Sequence, residues 1–260
     1  MAPPLETEPC AHWGWRIDGP VPRRADAGRS RGEWVYCSPA DGEERGTHVA
    51  KLLPETASEQ QWLQLERQAY LAVKLTDNGL KLVFSRLTSP GAMLVHPRLS
   101  GELADEWVNY QAQWIPRTVW VTLAWGLLKR LQRLHQLGYV HGRLSPEHVW
   151  IEASGRIALL GLGGCALVGE ALPVVGGGAR YAAPERLRAG TEATSAQDIY
   201  SAALVIDLLS GGVFAGTPVG ACMQAICPYD RPTAGELVEL LASYLRELHG
   251  DLAEPVCRAA

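Results

Sequence analysis

The stretch VHGRLSPEHVWI, residues 140–151, decides how the rest of the chain is read. It follows the run PRTVWVTLAWGLLKRLQRLHQLG (116–138), a long helix opened by a proline in its first turn and closed by Gly138. It precedes RIALLGL (156–162), a short apolar run of strand character. Ser145 and His148 stand three residues apart, a spacing at which a hydrolase would hold a nucleophile and its base. Neither a strand-to-helix elbow nor an oxyanion loop accompanies them. Arg143 is a fixed positive charge, to be read as an anion site or as a solvated or salt-bridged cation.

Outward from this stretch the chain divides by pattern. GEWVYCSP and THVAKLLP flank a turn-rich ADGEERG and read as a hairpin, and KLVFSRL with AMLVHPRL across TSPG reads as another. Between them PETASEQQWLQLERQAYLAVKL repeats apolar residues at Trp62, Leu65, Ala69 and Val73, the period of an amphipathic helix. ADEWVNYQAQW, SAQDIYSAALVIDLLSG and TAGELVELLASYLREL are helical as well. Strands come first with one helix among them, then mostly helices. This predicts an α+β fold of two lobes, a small sheet lobe and a helical lobe, with the chain crossing near residues 96–103.

With 260 residues and 47% hydrophobic content the chain is long enough to bury a large core. Its 24 Lys and Arg against 28 Asp and Glu give no basic surface for nucleic acid. Six cysteines lack the paired spacing of a zinc site and read as reduced thiols. No leader pattern opens the sequence, and the longest apolar run, VWVTLAWGLL (119–128), is too short to span a bilayer, so a cytoplasmic protein is expected.

Six segments in order give the chain a resemblance to the eukaryotic-type Ser/Thr protein kinase family. VAK (49–51) resembles the end of the strand carrying the phosphate-pairing lysine, which implies that role for Lys51. Glu66, in QLERQA, stands where a helix glutamate would pair with it, with Glu59 as the substitute. VHGRLSPEHVWI resembles the catalytic loop HRDLKPENVLI, and ALLGLGG the strand and DFG turn. GGGARYAAPERL resembles the end of the activation segment, AQDIYSAALV the helix that opens on a buried Asp, and CPYDRPTAGELVELL the close of the fold. The resemblance implies a loose segment at 1–11, a kinase-like N-lobe at 12–97, a kinase-like C-lobe at 98–250 and a tail at 251–260.

The positions that carry phosphoryl transfer in that family are the ones this sequence has changed. Arg143 stands for the catalytic Asp and is unable to accept a proton; Ser145 stands for the neighbouring Lys. His148 stands for the metal-binding Asn and Gly161 for the DFG Asp, a poor set for Mg²⁺ with its preference for hard oxygen ligands. In place of a glycine loop is RIDGPVPRRADAGRSRGEWVY (16–36), with two prolines and five arginines. Val49, where the family has Ala, narrows the space for an adenine ring. Neither Ser nor Thr lies between Gly161 and Arg180, and Gly142 replaces the arginine that would receive an activating phosphate.

Residues that hold the family's fold are unchanged. His141, Asp198, Glu185 and Arg231 match, and Leu162 keeps an apolar side chain at the DFG Phe position. In the family the Glu185 and Arg231 positions form a buried ion pair and the Asp198 position ties down the catalytic loop. The interval from Glu185 to Arg231 is 46 residues, so a docking helix after residue 210 is expected to be shortened or absent. The reading is a catalytically inactive, kinase-like protein, a pseudokinase that binds another protein, an active kinase or a phosphorylated protein, as scaffold or allosteric regulator. No cofactor and no metal site is expected. The alternatives are an active transferase that binds ATP in an altered pose, with Asp18, Asp26 or Glu152 as stand-in carboxylates, and an ATP-sensing module without turnover, both using Lys51. The arginine-rich segment Arg23–Arg31 is a candidate for acidic surfaces, and Trp13, Trp15 and Trp34 for an aromatic contact patch.

Overall fold

The computed structural model describes residues 13–21, 33–76, 80–87, 91–111, 114–172, 179–188 and 190–253. The segment 1–11, the arginine-rich segment 23–31 with Asp26, and the end of the tail, 254–260, lie outside the described residues. The architecture is mixed α and β, and the chain divides into two compact units, Met1–Leu99 and Ser100–Ala260.

The first unit is a five-stranded antiparallel sheet with one helix. Strands β1 (Trp15–Pro20), β2 (Glu33–Pro39), β3 (His48–Leu53), β4 (Phe84–Leu87) and β5 (Ala92–Pro97) take the order β1-β2-β3-β5-β4. Alternation along the strands gives the sheet two apolar faces. Trp15, Val35, Cys37, Ala50, Met93 and Val95 pack together on one. Leu53, Ala92 and Leu94 on the other pack against Leu65 and Ala69 of helix α1 (Glu59–Lys74). A capping box starts α1, with the Ser58 hydroxyl accepting from Gln61 N–H and the Gln61 amide accepting from Ser58 N–H.

Strand β1 falls in the stretch that lacks a glycine loop, and it pairs with β2 through a bulge between Ile17 and Gly19. Asp18 beside that bulge accepts from the Ser38 hydroxyl, from Gly46 N–H at 2.8 Å and from Arg16 at 3.1 Å. Burial opposes ionisation here, but these bonds and the Arg16 charge outweigh it and hold the carboxyl below its usual range. Asp18 is thereby committed to closing the sheet. Burial and the Asp18 charge push the neighbouring Cys37 thiol up to about 12, which leaves it inert.

The second unit is built on helices α2 (Ala104–Tyr110), α3 (Arg117–Gln136), α4 (Ser195–Leu209), α5 (Pro218–Met223) and α6 (Ala234–Ala253). Leu123, Leu127, Leu128, Leu131 and Leu134 of α3 are fully buried, as are Ile199, Ala202, Val205 and Ile206 of α4. Two small antiparallel sheets join them, β6 (Glu102–Leu103), β8 (Val149–Ile151) and β9 (Ile157–Leu159) in one, β7 (Tyr139–Val140) and β10 (Ala166–Leu167) in the other. Between residue 210 and Arg231 the chain makes a short turn of 3₁₀ helix at Phe214–Gly216, the six-residue α5 and a second 3₁₀ turn at Pro228–Asp230. No described helix is long and apolar enough to cross a membrane. The described cysteines, Cys37, Cys165, Cys222 and Cys227, are unbridged.

Candidate functional site

Residues 140–151 and 156–164 meet because β8 and β9 form a hairpin, pairing Val149 with Leu159 and Ile151 with Ile157. The register continues one step further, where Leu160 N–H donates to His148 O at 2.8 Å. That bond sets His148 beside Gly161. The loop before it hangs on Asp198, buried at the start of α4, whose carboxylate accepts from His141 N–H at 2.7 Å and Gly142 N–H at 2.8 Å. His135, from the last turn of α3, adds a third bond at 2.9 Å. Burial works against this charge, but the bonds to His135 and the loop prevail, and Asp198 is held below its ordinary carboxylate value.

His141 Nε2 donates to Leu160 O at 2.9 Å, since a carbonyl only accepts. Burial first, and the Arg143 and His135 charges after it, push this ring down, so it is neutral and serves to join the loop to the strand before Gly161. Leu162, next along, is buried. Glu185 and Arg231 meet in a two-pronged ion pair of 2.7 and 2.9 Å, and Arg231 also donates to the carbonyls of Ala196 and Ala225. Asp198 and Arg231 thus each tie together separate parts of this unit.

The four positions at which the sequence departs from the family it resembles form a different arrangement. Gly161 has a left-handed φ of +76°, and a Cβ there would lie 2.6 Å from His148 Cδ2 and 3.0 Å from His148 Nε2. The imidazole fills the space that a side chain at 161 would need, so any side chain there requires the ring at 148 to shift. Burial above all, with the Arg143 charge, pushes His148 down to about 3. The ring is neutral, stacked edge-on to His141 with centroids 5.4 Å apart, and bonded through Nδ1 to Ser145 Oγ at 2.9 Å. The pair expected for a hydrolase is in contact, but a ring of so low a pKa is a weak base for a serine hydroxyl. Ser145 also faces Glu147 at 3.4 Å.

Mg²⁺, which the resemblance brings to mind at this turn, does not fit the groups present. Gly161 has no side chain, and position 148 offers carbon and nitrogen in place of a hard oxygen. Arg143 is exposed, with no ion-pair partner among the described residues and its Nη1 3.8 Å from where a Gly164 Cβ would be. Of its earlier readings the salt-bridged one is not seen. Glu152 is spoken for, since Arg156 donates to it at 2.8 Å across the β8–β9 turn.

In the first unit, β3 turns Lys51 toward α1, and its amine donates to Gln68 Oε1 at 3.1 Å. Trp34 on the neighbouring strand places its ring 5.8 Å from the same amine. Lys51 is 8% exposed, and burial holds its amine below the ordinary lysine value. The carboxylate expected beside it is absent: Glu66 and Glu59 both stand at exposed positions of α1. The side chain that the sequence reading missed is Gln68. Its signal was in the helical phase, because Leu65, Gln68, Ala69 and Ala72 form one buried stripe and Glu66 lies off it. The Val73 of the expected stripe is 57% exposed.

The tryptophan patch is also corrected. Trp15 is a core residue, Trp13 packs against that core with Arg86 over its ring at 4.4 Å, and Trp34 lies by Lys51. No family model matches the sequence, and no curated protein does.

Proposed function

We propose that the chain is a degenerate member of the protein-kinase-like fold, a pseudokinase that acts by binding another protein and not by phosphoryl transfer. Support for the fold comes from the six motif-like segments together with their local geometry: a lysine facing the one helix of a five-stranded sheet, a loop tied to a buried aspartate, and the Glu185–Arg231 pair. The observation that carries the functional reading is the His148 ring standing where a side chain at 161 would be. Transfer of a phosphoryl group depends on positioning and on charge neutralisation by metal and cations. In this chain that turn presents a neutral imidazole, a glycine and an arginine instead.

A second reading, nucleotide sensing without turnover, is favoured by one observation, the retained buried cation Lys51 with a neutral partner that leaves its charge unbalanced. Calorimetric titration of ATP into the purified chain, with and without Mg²⁺ and repeated on Lys51→Met, separates the two. The protein-binding reading expects neither heat nor thermal stabilisation at millimolar nucleotide. Saturable binding lost in Lys51→Met would assign the sensing role instead, and Mg²⁺-dependent transfer to a generic substrate would overturn both.

A further inference from the structure

The outward face of α1 carries a pattern that neither the core nor Lys51 uses. Glu59, Leu63, Glu66, Tyr70 and Val73 follow one another at intervals of four, three, four and three residues. That is the seam spacing by which one helix packs along another, and it lies opposite the buried stripe of Leu65, Gln68, Ala69 and Ala72. Leu63, Tyr70 and Val73 are 52%, 45% and 57% exposed. The three form an apolar row on the solvent side of the helix, with Lys74 Nζ 5.8 Å from the Tyr70 ring at its end.

The two remaining seam positions are acidic. Neither Glu59 nor Glu66 has an ion-pair partner among the described residues, and both border a groove of about 470 Å³ with Trp62 and Leu63. Trp62 packs inward on the core that holds α1 to the sheet, so the groove has a fixed wall. A seam with a carboxylate at its centre selects its occupant by charge. A second copy of this chain suits it poorly. In a parallel pair, or an antiparallel pair centred on residue 66, the full seam is engaged only with Glu66 facing Glu66.

We infer that this face of α1 is a docking seam for an amphipathic helix of a different protein, one with apolar residues at the same spacing and a Lys or Arg opposite Glu66. The inference rests on the protein-binding reading and names its surface and the class of its partner. Its test does not involve Lys51, so its failure and the result of the nucleotide titration are read separately.

The probe is a designed 21-residue amphipathic helix with leucines at the seam positions and one central seam Lys, against the same peptide with Glu in that place. Fluorescence anisotropy with the full chain is expected to show saturable binding of the Lys peptide and binding at least about tenfold weaker for the Glu peptide. Glu66→Lys reverses the preference, and Leu63→Asp with Val73→Asp removes binding of both. All three positions are exposed, and unchanged thermal midpoints establish that the variants fold. Absence of saturable binding by either peptide overturns the proposal, as does binding indifferent to Glu66→Lys. A wild-type dimer in sedimentation that Leu63→Asp dissociates also overturns it and assigns the face to a second copy.

Discussion

At the scale of single residues, Gly161 and His148 are one feature. Gly155 has nearly the same backbone, φ +77°, but no atom within 4 Å of where its Cβ would be, and so serves as the reference. Gly155→Ala is expected to cost about 1–2 kcal/mol, the strain of a left-handed alanine. Gly161→Ala costs that and about 1–3 kcal/mol more for overlap with the His148 ring, read as a difference in denaturant midpoint. Gly161→Asp, which places at this turn the residue of the family the sequence resembles, is therefore expected to destabilise the second unit, and His148→Asn in the same chain to recover part of the loss. Equal costs at 161 and 155 would mean that the ring does not occupy this space. His148 also sets a pH dependence. Its value is about 3 in the folded chain against 6.5 unperturbed, so the unfolded chain binds the extra proton first and stability falls as pH drops below about 6.5. The expected slope is about 1 kcal/mol per pH unit between pH 6.5 and 4, shallower in His148→Gln. His141, shifted the same way, leaves a residual slope in that variant. Set beside the family that the sequence resembles, positions 143, 145, 148 and 161 differ; the sequence held no sign that the ring of one takes the space of another, because that contact depends on the β8–β9 register.

At the scale of elements, α1 shows where periodicity is informative and where it slips. Its existence and its approximate limits were legible from apolar spacing. Its rotation was not, because Val73 and Ala72 are adjacent apolar residues and only one can face the sheet. Glu66 was instead read as the partner of Lys51 from its place in the kinase-like QLERQA, and the buried Gln68 two residues on was passed over. The two assignments have opposite consequences in mutants. Glu66→Ala, at an exposed position, is expected to change stability by no more than about 0.5 kcal/mol. Gln68→Leu leaves a buried ammonium without its oxygen and is expected to cost about 1.5–3 kcal/mol. Gln68→Glu gives the amine a charged partner, and the Lys51 pKa is expected to rise toward its ordinary value, which NMR of the labelled side chain reads directly. If Glu66→Ala were the costly change, the rotation of α1 described above would be wrong. Strand β1 was missed for a different reason. Arg16 to Tyr36 was judged as a glycine loop and found deficient, whereas its first residues form an ordinary edge strand closed by Asp18.

At the scale of the molecule, the charged residues of the second unit separate into those that build it and those that do not. Arg231 has no side-chain exposure and five hydrogen bonds, two to Glu185 and three to the carbonyls of Ala196, Ala225 and Ile226. It joins the residue 185 turn, the start of α4 and the segment before α6, three parts distant in sequence. Arg143, equally cationic, is exposed and makes no side-chain hydrogen bond or ion pair among the described residues. Arg231→Leu removes one partner from a buried pair and strands Glu185 and three carbonyls, so a loss of about 3–5 kcal/mol is expected. Arg143→Ala is expected within about 0.5 kcal/mol of the parent chain. Because a domain is stable by only about 5–15 kcal/mol, Arg231→Leu should also raise proteolysis of the second unit at ambient temperature while Arg143→Ala leaves it resistant. The contrast concentrates the energy of the second unit in the bonds that join its elements and leaves the exposed cation at 143 outside them. Equal sensitivity at 143 and 231 would instead place Arg143 in a bonded network and return the altered-cleft transferase to consideration.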